Sequence, residues 1–297
     1  MDITWIAVDW GTSNLRAWAM GPHGPLDQAV SDDGMGRLAP DAFEPALLRL
    51  IAPWLTAPTT PVLACGMVGA RQGWREAKYR AVPCPPVDAA GILTVPTLDS
   101  RITFHIAPGL SQDRPADVMR GEETQIAGAL ALHKGFDGVI CLPGTHSKWA
   151  LVSAGEVVSF QTFMTGEMFA LLSTQSVLRH SLAEGWDDAA FDAGVADALQ
   201  SPDRFAARLF SLRAAFLLHD LPPAQARARL SGLLVGLELA GSKPYWLGSR
   251  TLLVGAPALA ASYARALQSQ GLAPETLDAT ACTLAGLSSL YLTMRRP

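Results

Sequence analysis

Short apolar runs and alternating apolar and polar positions dominate the first third of the chain, and this pattern predicts strands. In chain order we expect strands near 3–8, 15–20 and 26–31, a helix over 41–55, and strands at 62–67 and 103–107. Proline and glycine are dense between residues 81 and 117, which favours irregular structure. We therefore place a domain boundary close to residue 118.

The remainder of the chain begins with mixed elements and becomes helical. We expect a helix over 122–133 and then strands at 138–142, 149–152 and 156–163. Apolar residues three and four positions apart predict helices at 167–182, 188–200, 203–219, 223–241, 257–270 and 278–293, with one strand at 251–254. The pattern predicts an α/β protein with domains at 1–118 and 119–297.

The composition favours small-molecule chemistry. The 297 residues are enough for two domains, and with 49% hydrophobic and 17% charged residues the chain is a globular protein somewhat richer in apolar residues and poorer in charge than usual. The net charge of −4 argues against nucleic-acid or anionic-membrane partners. We find no basic leader, no run long enough to cross a membrane and no cysteine pattern typical of zinc. We therefore expect a cytoplasmic protein with reduced core cysteines.

Two short turns of similar design each join two predicted strands. The candidate phosphate-binding residues are Gly11, Thr12, Ser13 and Arg16 in the first turn and Gly144, Thr145, His146 and Lys148 in the second. Glycine lets the backbone approach an anion, hydroxyls donate hydrogen bonds, and a cation closes each turn. Either turn alone could be an ordinary hairpin turn, but the repetition favours a polyphosphate ligand.

Asp9 stands just before the first turn and does not suit a site for anions alone. A carboxylate beside bound phosphates is explained if it faces Mg²⁺, which usually takes one or two protein carboxylates and keeps several waters. We therefore expect Asp9 to hold the metal.

The motif Asp-x-Gly-Thr-x-x-x-Arg from Asp9 to Arg16, the second Gly-Thr turn and the strand–Gly–helix at Gly255 together resemble the actin, hexokinase and Hsp70 superfamily. The resemblance implies a two-domain actin-like ATPase (ribonuclease H-like) fold that binds ATP in an interdomain active-site cleft. It also implies that the two turns face each other across the cleft and that Gly255 meets the adenosine.

Within this superfamily, residues 120–128 resemble the segment of carbohydrate kinases in which an acidic residue after glycine is the catalytic base. Those kinases usually have Asp there, whereas this chain has Glu122 and Glu123. Two carboxylates in the first turn of a helix could also simply favour the helix dipole. The resemblance favours a catalytic role, with Glu122 as the preferred base.

Residues 66–74, 120–125 and 142–149 together resemble the 2-dehydro-3-deoxygalactonokinase family. That resemblance implies ATP-dependent phosphorylation of the terminal (6-) hydroxyl of 2-dehydro-3-deoxygalactonate, in galactonate catabolism. The alternatives are the gluconate epimer, a neutral sugar or, less favoured, a nucleotide switch without kinase activity. The apolar helical half of the chain is also compatible with a homodimer.

The carboxylate of a sugar acid needs a cationic partner, and basic residues are concentrated in a glycine-rich segment after Cys65. A guanidinium in such a turn suits a bidentate carboxylate contact, although a solvated basic loop would have the same composition. The candidate substrate-binding residues are Arg71, Gln72 and Trp74, with Arg37 and Thr165 as weaker candidates. Helix capping is the alternative for Thr165.

Overall fold

The structure is a computed structural model that describes residues 2–295. The chain divides into two compact units. Unit 1 contains the residues up to Asp137, the short segment 152–159 and the residues from Ala279 onward. Unit 2 contains residues 138–151 and 160–278.

Groups of strands and groups of helices alternate along the chain. The strands are β1 (Trp5–Trp10), β2 (Leu15–Gly21), β3 (Gly24–Ser31), β4 (Thr60–Gly66), β5 (Tyr79–Ala81), β6 (Leu93–Val95), β7 (Ile102–Ile106), β8 (Gly109–Gln112), β9 (Asp117–Met119), β10 (Gly138–Leu142), β11 (Ser147–Ser153), β12 (Glu156–Phe163), β13 (Thr251–Gly255) and β14 (Glu275–Asp278). The helices are α1 (Phe43–Ile51), α2 (Glu122–Leu132), α3 (Thr165–Thr174), α4 (Asp188–Gln200), α5 (Phe205–His219), α6 (Pro223–Gly241), α7 (Lys243–Trp246), α8 (Pro257–Gln268) and α9 (Ala279–Met294).

Unit 1 is built on a six-stranded mixed sheet in the order β3-β2-β1-β4-β7-β6. Strands β1, β2 and β3 form an antiparallel meander, while β1, β4 and β7 run parallel. A smaller sheet in the order β5-β8-β9 lies within the stretch that the sequence predicts to be irregular. The proline and glycine residues there break the chain into strands of only three or four residues, which are too short to produce a clear alternation.

Alternation along β1 divides the core of unit 1 between the two faces of the sheet. Ile6, Val8 and Trp10 belong to a buried cluster that includes residues of α1. Trp5 belongs to a second cluster with residues of α9, and its ring stacks on Tyr291 with 4.4 Å between the centroids. The first and last elements of the described chain therefore share one core.

Helices α2 and α9 pack so closely that glycine is required where they cross. A Cβ on Gly128 would lie 1.7 Å from the Cys282 carbonyl oxygen, and a Cβ on Gly286 would lie 1.9 Å from that of Thr124. This packing joins both helices to unit 1, so the structure divides the chain differently from the predicted boundary at residue 118.

The core of unit 2 is a sheet in the order β12-β11-β10-β13-β14, packed with helices. The tip of the β11–β12 hairpin, residues 152–159, groups with unit 1, where Val157 exchanges backbone hydrogen bonds with Cys84. Helices α4 and α6 cross at glycine, since a Cβ on Gly232 would lie 2.1 Å from the Phe191 carbonyl oxygen. Trp149, Trp246 and Tyr263 fill this core.

Several sequence predictions are confirmed. The helices predicted at 188–200 and 223–241 are α4 and α6, and Cys65, Cys84, Cys141 and Cys282 are free and buried. The helix predicted over 167–182 ends earlier, at Thr174, and a short 3-10 turn follows from Val177 to Ser181. In the part of the chain that the structure describes, no helix has the length and apolar character needed to cross a membrane.

Candidate active site

The first Gly-Thr turn closes the β1–β2 hairpin of the large sheet, where β1 ends and β2 begins. The Gly11 N–H donates to the Asn14 carbonyl at 2.9 Å, which makes the turn tight. The side chains of Thr12 and Ser13 are exposed, so their hydroxyls are available as donors. This geometry is compatible with the phosphate contact predicted for Gly11, Thr12 and Ser13.

A second loop, residues 34–37, packs directly on this turn. The Met35 N–H donates to the Gly11 carbonyl at 3.0 Å, and the Gly36 N–H donates to the Thr12 carbonyl at 2.9 Å. A Cβ on Gly34 would lie only 2.2 Å from the Ser13 carbonyl carbon, so glycine is required for this approach. Arg37, considered for the substrate carboxylate, is thereby brought beside the first phosphate turn.

Asp9 and Arg16 are direct partners across β1 and β2 and form an ion pair. The Asp9 side chain is largely buried, at 15% exposure, whereas that of Arg16 is 37% exposed. The carboxylate predicted to hold the metal and the cation predicted to bind phosphate therefore neutralise each other. From the sequence we expected the two residues to bind different ligands, and their contact with each other was not predicted.

The N-terminus of α2 lies at the ends of β1 and β4 because two glycines allow it. Gly66 has a φ of +91°, and a Cβ there would lie 2.8 Å from the Trp10 carbonyl oxygen. Gly121 has a φ of +106°, and its Cβ would lie 3.3 Å from the Cα of Gly66. Burial raises the pKa of the intervening Cys65 thiol, and the charges of Asp9 and Glu123 raise it further. The carboxylates of Asp9 and Glu123 thus lie near one sheet edge.

Glu122 and Glu123 differ sharply in environment. Glu123 is fully buried, and its Oε2 accepts the Gly121 N–H at 2.7 Å. Burial, assisted by the charge of Glu122, raises the pKa of Glu123 to about 8, so this carboxyl group holds its proton at neutral pH. Glu122 is half-buried, and its Oε2 accepts the Arg120 N–H at 3.0 Å. Glu122 is therefore the more accessible of the two carboxylates.

The glycine-rich loop after β4 contains the other predicted substrate contacts. The Arg71 side chain is 82% exposed and lies 3.4 Å from the Glu76 carboxylate, and Gln72 is also exposed. Trp74 instead packs its ring on Phe104, with 4.4 Å between the centroids. Trp74 thus has a structural role in the core of unit 1, and its contact with substrate stays a prediction.

Arg120, which the sequence analysis did not single out, supports the base of this loop. Its guanidinium is buried, donates from Nη2 to the Ala77 carbonyl at 2.7 Å and stacks over the Tyr79 ring at 4.3 Å. Gly69 leaves the space for this guanidinium, since a Cβ there would lie 2.8 Å from Nη1. The position of Arg120-Gly121 immediately before the two glutamates was the sequence feature that could have pointed to Arg120.

The second Gly-Thr turn closes the β10–β11 hairpin of unit 2, and the start of α3 supports it. The Glu167 N–H donates to the Thr145 carbonyl at 3.0 Å, and Oε2 of Glu167 lies 2.6 Å from Nε2 of His146. A Cβ on Gly166 would lie 2.4 Å from the Gly144 carbonyl oxygen. Thr145 and His146 are exposed, as a phosphate-binding turn requires.

Two further predicted residues of this region are buried. Lys148 is only 4% exposed, and its Nζ lies 3.5 Å from the His146 carbonyl oxygen. Thr165 is 9% exposed, and its side chain hydrogen-bonds with the buried Glu238. The residue at the cap of α3 is Met164, so the capping role considered for Thr165 is wrong. Contacts of Lys148 and Thr165 with a ligand stay predictions.

A cavity of about 750 Å³ opens beside the second turn, within unit 2. Its lining includes Gly144, Phe169, Arg227, Ala258 and Tyr263. The Arg227 guanidinium lies over the Phe169 ring at 4.9 Å. Because β10 and β13 run parallel, Gly255 lies beside Pro143 at the same sheet edge, as the adenosine prediction requires. Periodicity could not reveal Phe169 and Arg227, since the packing of separate helices brings them together.

The residues present fit a single Mg²⁺ bound mainly through phosphates and water. Within residues 2–295 no cluster of three or more His, Cys, Asp or Glu side chains could enclose a metal. Mg²⁺ bound with nucleotide needs only one or two protein carboxylates. Asp9, next to the exposed hydroxyls of Thr12 and Ser13, provides such a carboxylate.

Comparison with known proteins gives matches along nearly the whole chain. The profile of the 2-keto-3-deoxy-galactonokinase family matches residues 9–290. The chain is 42% identical over 295 residues to a protein of Rhizobium meliloti (strain 1021) assigned as a 2-dehydro-3-deoxygalactonokinase, with 95% of each chain covered. It is 35% identical over 294 residues to the 2-dehydro-3-deoxygalactonokinase of Escherichia coli (strain K12), with 98% of each covered.

Solved structures agree with the sequence matches. A Sinorhizobium meliloti crystal structure, assigned to 2-dehydro-3-deoxygalactonokinase, aligns with a TM-score of 0.91 at 39% identity, covering 99% of this chain and 97% of that one. Component A of the (R)-2-hydroxyglutaryl-CoA dehydratase of Acidaminococcus fermentans aligns with a TM-score of 0.53 at 11% identity, covering 98% and 99%, and shares the fold alone. The two-domain actin-like ATPase fold expected from the sequence is confirmed.

Proposed function

Because this chain belongs to the 2-keto-3-deoxy-galactonokinase family and is a carbohydrate kinase, we propose that it transfers the γ-phosphoryl group of ATP to the 6-hydroxyl of 2-dehydro-3-deoxygalactonate. The products are 2-dehydro-3-deoxy-6-phosphogalactonate and ADP. The observation that carries the proposal is the half-buried Glu122 at the start of α2, next to Gly121, which packs on Gly66 at the end of β4. Glu122 and the first Gly-Thr turn both lie within residues 9–290, the part of the chain that matches the family.

The nucleotide belongs, in this proposal, to the cavity of unit 2. An aromatic ring and aliphatic side chains suit a purine, and the cavity of about 750 Å³ lies within the range of small-molecule sites. The second turn adjoins it, with the Thr145 hydroxyl and the His146 imidazole available to donate to phosphate oxygens. Gly11, Thr12, Ser13 and Arg16 form the corresponding phosphate-binding turn of unit 1.

Asp9 would hold Mg²⁺, which neutralises charge on the transferring phosphoryl group when it is bound. The contribution of the chain is to keep one carboxylate at the end of β1, oriented by its pairing with Arg16. When ATP binds, Arg16 would exchange the Asp9 carboxylate for a phosphate group, because a guanidinium can donate hydrogen bonds to either.

Glu122 is the proposed general base. It takes the proton of the 6-hydroxyl while that oxygen bonds to the γ-phosphorus, and ADP leaves with the electron pair of the broken P–O bond. Glu123 is fully buried and its pKa is raised to about 8, so at neutral pH it is mostly protonated and is not the base in this proposal. Its hydrogen bond to the Gly121 N–H supports a different role, which is to fix the first turn of α2.

The substrate carboxylate is assigned to the exposed loop after β4. Arg71 has only a long contact with Glu76, so its guanidinium can exchange that contact for a bidentate one with a sugar acid. Gln72 and, at the first turn, Arg37 complete the proposed polar contacts. The cation in this loop is the feature that favours an acid over a neutral sugar.

A coupled assay of ADP release tests the proposal against its alternatives. The panel contains 2-keto-3-deoxygalactonate, 2-keto-3-deoxygluconate, galactose and glucose, each with ATP and Mg²⁺. We expect the highest kcat/KM with the galactonate derivative and a phosphate ester at its 6-position by NMR. A higher kcat/KM with the gluconate epimer or a neutral sugar would reassign the substrate, and no turnover on any of them would contradict the kinase assignment.

A further inference from the structure

A buried glutamate, Glu238, lies next to the cavity of unit 2 and contacts one of the residues that line it. Glu238, in the last turn of α6, is 1% exposed. Its Oε1 accepts the Trp149 Nε1–H at 2.8 Å, and its Oε2 accepts the Tyr263 hydroxyl at 2.6 Å. The Thr165 hydroxyl also hydrogen-bonds with it, and the Ser147 hydroxyl is connected to it through the Tyr263 hydroxyl, 3.0 Å away. Burial raises the pKa of Glu238 above its usual value, and the hydrogen bonds of this network offset that effect only in part.

The two oxygens of a carboxylate offer about four lone-pair sites, so the direct donors Trp149, Tyr263 and Thr165 can all be accommodated. Packing alone does not explain why an acidic residue occupies this buried position. An apolar side chain of similar volume would fill the space without the cost of burying a polar carboxyl group. The carboxylate therefore calls for an explanation beyond core packing.

The donors come from the elements that build the candidate nucleotide site. Ser147 follows the second Gly-Thr turn directly, and Thr165 begins α3, whose next residues pack on that turn. Tyr263, on α8, lines the cavity. The Ser147 hydroxyl lies 3.0 Å from that of Tyr263, which closes the network.

We propose that Glu238 is a positioning residue for nucleotide binding, which holds the second turn and the cavity wall in one fixed arrangement. The residue acts through Ser147 and Thr165 on the turn and through Tyr263 on the cavity. Trp149 anchors the same carboxylate in the hydrophobic core. This inference rests on the proposed function, because that proposal assigns the nucleotide to unit 2.

Glu238→Gln provides the test, since it keeps the shape but replaces one acceptor oxygen by an amide that can only donate. We expect calorimetry to show ADP binding at least tenfold weaker than in the wild type. The KM for ATP should rise by a similar factor, while the KM for the sugar acid stays within twofold. A merely structural role would lower Tm without separating the two KM values.

Leu239→Ala is the matched control, because Leu239 is the adjacent residue of α6 and is fully buried in the same core cluster. We expect it to lower Tm and leave the Kd for ADP within twofold of wild type. The inference is overturned if Glu238→Gln binds ADP as the wild type does. It is equally overturned if Leu239→Ala weakens ADP binding as much at a comparable Tm.

Two milder variants decide the matter if Glu238→Gln does not fold. Ser147→Ala and Tyr263→Phe each remove one hydroxyl donor, and each should weaken ADP binding threefold or more. Wild-type Kd values for both would overturn the inference. Wild-type protein that binds ADP but phosphorylates no sugar contradicts only the proposed function, whereas wild-type protein that binds no ADP contradicts both.

Discussion

The carboxylate of Asp9 and the guanidinium of Arg16 form an ion pair across neighbouring strands, with the first Gly-Thr turn between them in sequence. Both residues are assigned to ligands in the proposed function, so ligand binding has to compete with this pair. Mg²⁺ offers Asp9 a dication in place of a guanidinium, and a polyphosphate offers Arg16 several oxygens in place of one carboxylate. In the proposed function, this exchange would link Mg²⁺ binding to phosphate binding.

Asp9→Asn removes the charge that would hold Mg²⁺ while keeping the size of the side chain. We expect the Mg²⁺ concentration for half-maximal activity to rise tenfold or more, because an amide oxygen is a weaker ligand than a carboxylate. A titration of initial rate against Mg²⁺ at saturating ATP measures this. Asp41→Asn, at an exposed position, is the control and should titrate as the wild type does. An unchanged Mg²⁺ midpoint in Asp9→Asn would contradict the assignment.

Glu122→Gln and Glu123→Gln distinguish the two candidate bases. We expect Glu122→Gln to lower kcat by about 10² to 10³ with little change in the KM for the sugar acid, because general base catalysis acts in the transition state. Glu123→Gln should lower kcat far less, since the group it replaces is already uncharged at neutral pH. Steady-state kinetics at pH 7 compares them, and the reverse order would transfer the role of base to Glu123.

The raised pKa of Glu123 has a consequence for stability. Between pH 4.5 and about 8 the folded protein retains a proton that this residue loses on unfolding, so the folded state binds more protons. The free energy of unfolding should therefore fall as the pH rises through this window, by at most roughly 1.4 kcal/mol per pH unit from this group. Denaturant unfolding of wild type and Glu123→Gln at pH 5.5 and pH 8 measures the difference.

Glu123→Gln should remove that component, because a glutamine can still accept the Gly121 N–H but carries no titrating proton. Glu76→Gln, whose side chain is about half exposed at 48%, is the control and should keep the wild-type pH dependence. Parallel pH profiles for wild type and Glu123→Gln would mean that Glu123 is ionised in the folded state.

Arg71→Ala tests the substrate class. Loss of a charge-assisted contact worth roughly 2 kcal/mol corresponds to a rise of about 30-fold in the KM for a sugar acid. The KM for ATP should stay within twofold, and so should any KM for a neutral sugar. Arg75→Ala, a neighbouring exposed arginine, serves as the control. Equal effects of the two substitutions would indicate a general electrostatic effect of the loop.

Gly34→Ala tests whether the loop at 34–37 supports the first phosphate turn. The new Cβ would lie within 2.5 Å of three backbone atoms of Thr12 and Ser13, so the turn or the loop must move. We expect a rise in the KM for ATP of fivefold or more and a loss of stability of about 1–3 kcal/mol. In Gly36→Ala the nearest atom is 3.2 Å away, so the effects should be smaller. An ATP KM that is unchanged in Gly34→Ala would contradict a supporting role.

Local patterns predicted the elements and the two turns well, because strand–turn–strand spacing and helical periodicity depend on neighbouring residues alone. The turn from Gly11 to Arg16 and the turn after Leu142 could both be found from sequence. Helix α6 was predicted with its observed bounds at 223 and 241.

Contacts between distant segments could not be predicted in this way. Arg37 lies beside the first turn only because Gly34 permits a close backbone approach. Trp74 was predicted to contact substrate, but its ring completes an aromatic cluster with Phe104, 30 positions further along the chain. Glu238 stands in an apolar stretch of α6, and no local spacing links it to Trp149 or Tyr263. Contacts of this kind can be identified only from the three-dimensional packing of the elements.

The close crossing of α2 and α9 bears on the order in which the two units can form during synthesis. Trp5 and Tyr291 share a core although almost the whole chain separates them, whereas most of unit 2 is one continuous segment. Unit 1 cannot complete that core until α9 has left the ribosome. We therefore expect unit 2 to acquire its core first, while the apolar face of the large sheet that α9 covers stays exposed until α9 has been synthesised.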